Sequence, residues 1–260
     1  MEPTTVQKPI PVASPEPATY VGCAGWSLSS EVAGNFPGEG SHLERYARMF
    51  SCVEINSSFY RPHQPKTYRR WAESVPDDFR FSVKMPRTIT HERRLQDCDD
   101  LVRGFCDEIA SLGEKLGCLL VQLPPSLALD QKVAATFFAL LRESATARVA
   151  CEPRHATWFT PRGNAILADV GVACVQADPA PVAHAACTGD PSLLYLRLHG
   201  SPDIYYSAYD DAFIDDIATG LHRAYKAKTD VWCIFDNTAR GAAVPNALTL
   251  MERLSAQATR

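Results

Sequence analysis

No stretch of this chain approaches the ~20 consecutive apolar residues that a membrane span requires, so no membrane partner is expected. The N-terminus lacks the charged-then-apolar layout of a secretory signal. A basic excess is missing too. The 26 Lys and Arg against 30 Asp and Glu leave a formal charge of −4. That balance gives no global attraction to nucleic acid or anionic lipid, so any basic function must be local. The nine cysteines, at 23, 52, 98, 106, 118, 151, 174, 187 and 233, include no CxxC pair and no metal-finger spacing. An odd number, with several inside apolar strand-like runs, reads as buried reduced thiols in a cytoplasmic protein. Neither a GxGxxG fingerprint nor a P-loop occurs.

What is present is an alternation. Residues 1–18 carry Pro3, Pro9, Pro11, Pro15 and Pro17 and read as a disordered or extended tail. Residues 19–260 then switch repeatedly between short apolar β-prone runs and helical stripes. Strands are expected at Tyr20–Ala24, Cys52–Ser57, Phe79–Met85, Cys118–Leu123, from Val149, at Val172–Ala177, Leu193–His199 and Val231–Phe235. Helices are expected at Ser41–Phe50, through Tyr68, Trp71, Ala72 and Val75, and over Asp97–Leu116 on a stripe of Leu101, Phe105, Ile109, Leu112 and Leu116. Others carry Val133, Phe137, Leu140 and Leu141, start at Pro161, or carry Phe213, Ile217, Leu221 and Ala224. The last carries Ala247, Leu250, Met251 and Leu254, whereas 180–192 is Ala/Pro-rich and irregular. Strict alternation implies a parallel sheet with right-handed crossovers. Eight such units in 260 residues predict an α/β fold, a single (β/α)8 TIM-type barrel, which typically takes ~250 residues.

Barrel strands send alternate residues to the helices and to the interior. In 194–199 the three leucines form one face, and Tyr195, Arg197 and His199 form the other. The same reasoning turns Glu54, Asn56, Ser82, Lys84, Leu120, Gln122, Glu152, Arg154, Gln176 and Asp178 inward, with Val175 outward. In the last strand Asp236 and Asn237 compete for the inward position. Most of the charged or amide members of this set lie at C-terminal strand ends, where active sites of this fold sit. Buried charges cost several kcal/mol per ion unless paired, so Glu54 and Glu152 are expected to neutralise Lys84 and Arg197. The loops above add Arg61, Arg87, His91, Arg93, Arg94, His155 and Arg240, against Asp203, Asp210 and Asp236. A cationic mouth on a mildly acidic protein points to a small anionic ligand. Tyr60, Trp26, Trp158, Tyr205, Tyr206 and Tyr209 are candidates to stack on a base or sugar ring.

Six motifs follow one another in order: VEINSSFY (53–60), FSVKMPRTITH (81–91), VQLPPS (121–126), CEPRHATW (151–158), LRLHG (196–200) and FDNTARGAAVPNA (235–247). Over about residues 20–255 the chain resembles the YecE-like family of unknown function, domain family seventy-two. The resemblance implies a TIM barrel and no particular reaction. It falls on Glu54, Asn56, Tyr60, Lys84, Thr90, His91, Gln122, Glu152, Arg154, His155, Trp158, Arg197, His199, Gly200 and Asn237. Two departures stand out: Asp236 precedes Asn237 where the family tends to have paired asparagines, and Pro153 replaces an apolar aromatic.

Three functional readings stay open. The first is an enzyme acting by general acid/base chemistry on a small anionic, phosphorylated or nucleotide-like compound. Glu54, Lys84, Glu152 and His199 are then catalytic. Glu54 or Glu152 acts as acid or base, Lys84 as electrophile or Schiff-base nucleophile, and His199 as proton shuttle. Asn56, Tyr60, His91, Gln122, Arg154, His155, Trp158, Asp178, Arg197, Tyr206 and Asn237 line the substrate, with Arg154, Arg197 and His91 gripping the anion. No cofactor is required. The second reading is a divalent-metal isomerase or phosphodiesterase with Glu54, Glu152, Asp178 and His199 as ligands. The third is a non-catalytic barrel binding a ligand or single-stranded nucleic acid, which the net charge does not support.

Overall fold

The structure, a computed structural model, describes residues 16–183 and 185–258. The expected tail therefore lies, up to residue 15, outside the described residues. The chain order is β1 (Thr19–Cys23), α1 (His42–Tyr46), β2 (Cys52–Ile55), α2 (Ser57–Tyr60), α3 (Pro65–Glu73) and β3 (Arg80–Lys84). It continues with α4 (Asp99–Ile109), β4 (Leu116–Gln122), α5 (Gln131–Ser144), β5 (Arg148–Glu152), α6 (Pro161–Asp169), β6 (Val172–Cys174) and β7 (Gln176–Asp178). β8 (Leu193–Leu198), α7 (Asp211–Lys226), β9 (Asp230–Phe235) and α8 (Ala243–Ala258) complete it. Local chemistry sets many of the helix starts. Ser41 and Glu44 form a capping box on α1, Asp130 and Asp210 cap α5 and α7, and Pro65 and Pro161 begin α3 and α6.

The strands pair in parallel in two sheets, β1-β9-β8-β7 and β2-β3-β4-β5-β6. Two seams join them. At one, β6 runs directly into β7: β6 pairs with β5, β7 pairs with β8, and the intervening Val175 N–H donates to the Cys151 carbonyl. At the other, Ala24 bridges Glu54 in parallel, and the Gly25 N–H donates to the Glu54 carbonyl at 2.9 Å. Below that bridge the buried Tyr46 hydroxyl fills in. It accepts from the Cys23 N–H at 2.8 Å and donates to the Cys52 carbonyl at 3.0 Å. Gly22 is required there, because a Cβ would stand 2.2 Å from the Cys52 carbonyl oxygen.

Apolar residues divide into two cores. The larger packs the outward strand faces against the helices, with Val53, Ile55, Phe81, Val83, Leu119, Val121, Leu196 and Leu198 among them. The smaller lies between the sheets and holds Cys118, Leu120, Ala150, Ala173, Val175, Tyr195, Trp232 and Ile234. Tyr195 stacks on Trp232 with ring centroids 6.0 Å apart. This inner core is a floor beneath the C-terminal strand ends.

Two expectations change. Val175 faces inward beside Ala173, which turns Gln176 and Asp178 outward; the run 172–178 has apolar residues on both parities, so alternation alone could not phase it. In α4 Val102, not the exposed Leu101, joins Phe105, Cys106 and Ile109 on the buried stripe. All nine cysteines are free and buried. No helix among the described residues is long and apolar enough to cross a membrane.

The seam yields a prediction. Tyr46→Phe leaves a buried N–H and a buried carbonyl unpaired, and it should lower the stability read from urea unfolding by about 2 kcal/mol. A loss within about 0.5 kcal/mol of zero would mean that the hydroxyl does not hold the sheets together there.

Candidate functional site

Residues at the C-terminal ends of β2, β3, β5, β8 and β9 converge on Arg197, which is fully buried. Its guanidinium donates to Glu54 through Nη2 (2.7 Å) and Nε (3.1 Å). Nη1 reaches Glu152 at 2.6 Å, and Nη2 also reaches Asp236 at 2.9 Å. His199 bridges the same acids, with Nδ1 3.0 Å from Asp236 Oδ2 and Nε2 3.3 Å from Glu152 Oε1. Arg154 donates twice to Glu152 Oε1, at 3.0 and 2.8 Å. Tyr195 Oη stands 2.8 Å from Glu54 Oε2 and 2.8 Å from Ser82 Oγ. With one proton, it donates to the carboxylate and accepts from serine.

The electrostatics follow from this wiring. Burial raises the pKa of Glu152, but Arg197, the His199 hydrogen bond and Arg154 outweigh it and hold the carboxyl well below its ordinary value. Burial likewise opposes ionisation of Asp236, and Arg197 and His199 reverse it, so its pKa is lowered. Burial disfavours the imidazolium of His199, yet the bonds to Asp236 and Glu152 raise its pKa.

Lys84 stands apart. It is 9% exposed, and its Nζ lies 4.3 Å from the Phe59 ring centroid and makes no hydrogen bond or ion pair among the described residues. Burial, then the neighbouring Arg197, lowers its pKa to about 8 against the pull of Glu54, Glu152 and Asp236. His91 packs edge-on to Phe59 and hydrogen-bonds Thr90 through Nδ1 at 2.8 Å. Burial and then the fields of Lys84, Arg87, Arg154 and Arg94 lower its pKa. Tyr205 closes the other side, edge-on to His199 and with its hydroxyl beside Arg154. Gly200 lets that loop turn, at φ +94° and with the Ser207 carbonyl 2.8 Å from where a Cβ would stand.

Asn56 links the cluster to a cleft of about 820 Å³ at the ends of β1, β2 and β9, lined also by Trp26, His42, Thr238 and Arg240. Its Nδ2 is 3.4 Å from Asp236 Oδ1, and its buried Oδ1 has no protein partner. The cleft lies beside the charged cluster rather than over it. A cavity of similar size between α4 and α5 is lined by none of the cluster residues.

Glu54, Lys84, Glu152, His199, Asn56, Arg154 and Arg197 are thus gathered as expected, with Gln122 buried next to Glu152 in register and His91 on the rim. Arg197 is not free to grip an anion, because it is saturated by three carboxylates. Asp178 faces outward and accepts from the Tyr209 hydroxyl at 2.9 Å, so the four-ligand set expected for a divalent metal is not assembled. Trp158 is buried in the outer core with its indole N–H on the Leu127 carbonyl. Asn237 donates to the Ser207 carbonyl and to Asn246, bracing the 200–209 loop on α8. His155 caps the short turn 156–158, Tyr60 is 76% exposed beyond Phe59, and Tyr206 stacks under Arg240. Asp236, Tyr195, Ser82 and Phe59 complete the cluster; Tyr195 and Ser82 are expected inside but with no role, Asp236 competes with Asn237, and Phe59 is not among the expected site residues. Strand parity marks the first three, since Val231, Cys233 and Phe235 face the helices and leave Asp236 inside.

The fold and the buried Arg–carboxylate cluster define an α/β protein with parallel sheets and one polar centre at the C-terminal strand ends. The family model described as "Protein of unknown function DUF72" matches residues 20–260, and the chain belongs to that family. Among curated relatives, the UPF0759 protein YecE of Escherichia coli K12 is 40% identical over 105 residues, 40% of this chain and 37% of that protein's length. The UPF0759 protein YunF of Bacillus subtilis is 23% identical over 265 aligned positions, covering 90% of this chain and 94% of that protein. A DUF72 family protein from Thermotoga maritima has a similar crystal structure, with TM-score 0.76 and 23% identity over 92% of this chain and 99% of that one. One from Enterococcus faecalis gives TM-score 0.76 and 21% identity over 91% and 95%.

A depressed lysine pKa has a sign that can be checked. The folded value near 8 lies below the ordinary 10.5, so the charged form destabilises the fold fully below pH 8, and the penalty fades as pH rises toward 10.5. Lys84→Met should therefore raise stability by about 2–3 kcal/mol at pH 7, with the gain vanishing above about pH 10. Unfolding curves at pH 7 and pH 10 decide it, and a destabilised variant at pH 7 contradicts the assignment.

Proposed function

We propose that the two sheets form one TIM-type (β/α)8 barrel domain, β6 and β7 together making one stave, and that its C-terminal mouth is the active site of an enzyme acting on a small anionic compound. The bridged seam between β1 and β2 and the direct run from β6 into β7 support the barrel. Nine free, buried thiols fit a reducing compartment, the cytoplasm.

The observation that carries the enzymatic reading is Lys84. A nearly buried amine with no partner costs stability, and a purely structural network would have given it a carboxylate. Instead the acids are bound by Arg197, and Lys84 lies within the field of His91, as do Arg87, Arg154 and Arg94. In this reading Arg154, His91 and Lys84 hold the anion. His199, held between Glu152 and Asp236, moves protons, because each ring nitrogen already faces a carboxylate that can share a proton with it. Glu54 fixes Arg197 rather than meeting the substrate. Burial of Trp158 and Tyr209 removes two of the stacking platforms that a single-strand binder would use.

Inorganic phosphate is the probe. Titrated calorimetrically near pH 7, it should bind with a Kd at or below about 1 mM. Arg154→Gln should weaken it by roughly tenfold or more, the worth of a charge-assisted hydrogen bond. No detectable heat with the wild-type protein, or equal affinity in the variant, would remove the anion site.

A further inference from the structure

We infer that Lys84 is an imine-forming lysine and that the mouth takes a small carbonyl compound bearing a carboxylate or phosphate group. This rests on the anion-binding reading of the same mouth and narrows its substrate class. An imine-forming amine must be unprotonated often enough to attack, uncommitted to other groups, and shielded from bulk water. Two other lysines, Lys115 and Lys228, fail this. Lys115 Nζ donates to the Ala72 and Val75 carbonyls, and Lys228 is an exposed partner of Glu16. Lys84 instead sits at the tip of β3, nearly buried, with the Phe59 ring against its ammonium and no bonded partner.

Its freedom has a structural cause. Glu54, Glu152 and Asp236 would each hold an ammonium ion, but four donor contacts from Arg197 draw them away. With a pKa of about 8, roughly a tenth of the amine is neutral at pH 7, against well under a thousandth for an ordinary lysine.

The surrounding groups fit the steps. The neutral Nζ adds to the carbonyl carbon, a C–N bond forms, and the carbonyl π pair moves to oxygen, which takes up a proton. The nitrogen loses a proton, and the hydroxyl of the resulting carbinolamine leaves as water once protonated, forming the C=N bond. The balance is amine plus carbonyl giving imine plus water, with no oxidant or reductant. His199, between Asp236 and Glu152, is the group in the cluster that can give and take those protons. Arg154 and His91 meet the anionic substituent, and Tyr205 covers the far side.

Reductive trapping tests this on the full chain. Glyoxylate, pyruvate and glycolaldehyde phosphate are each incubated with the protein and sodium cyanoborohydride at pH 7, and adducts are mapped by peptide mass spectrometry. With at least one probe, Lys84 should be modified at least tenfold faster than the exposed Lys66 and Lys132, in line with its larger neutral fraction. Lys84→Arg, folded by circular dichroism, should lose that fast adduct. Modification of Lys84 no faster than of Lys66 with all three probes overturns the inference. If phosphate still binds in that case, the anion reading survives; if phosphate also fails, both fall.

Discussion

Everything at the strand ends depends on one guanidinium. Arg197 is fully buried at the tip of β8 and donates to carboxylates delivered by β2, β5 and β9. Three acids brought into a dry interior would repel each other and leave the chain unfolded without a central cation. Lysine could not replace it, because a point charge lacks the planar fork that reaches Glu54 twice and Glu152 and Asp236 once each. The floor of Tyr195, Leu120 and Ile234 keeps water from the apolar side and strengthens those bonds.

Chemistry follows from how that cation divides the acids. Because Arg197 saturates them, Lys84 is left as an unpaired amine, and Arg154 and His199 share the outer oxygen of Glu152. The result is an inner layer that is electrostatically closed and an outer layer that is not. In the function proposed above, the outer layer supplies the groups that bind an anion, attack an electrophile and relay a proton. Keeping Lys84 there lowers stability, a cost that the proposed reactivity of this amine would account for.

Much of this was legible in the chain. The βα alternation and the facing of β2, β3, β4, β5 and β8 follow from period-two apolar patterning, and Glu54, Lys84, Glu152 and Arg197 fall inside on that basis. Run 172–178 was not legible, because its alternation is apolar on both faces, and Asp178 was misplaced as a consequence. Trp158, His155 and Asn237 sit in the same motifs as the cluster residues but brace loops or fill the outer core; a linear motif mixes the two kinds. Which cation takes the acids was beyond the sequence as well, since Lys84 and Arg197 are equally basic on paper. Only the reach of β8 and the fork of arginine decide it.

The central claim is that Arg197 monopolises the carboxylates and leaves Lys84 as a lone, nearly buried amine. Its most direct measurement is an NMR titration of the Lys84 Nζ or Cε resonance in the otherwise unaltered protein. The account predicts a midpoint near pH 8. A midpoint at or above the ordinary lysine value of about 10.4 would show Lys84 sharing the acids, and would contradict it.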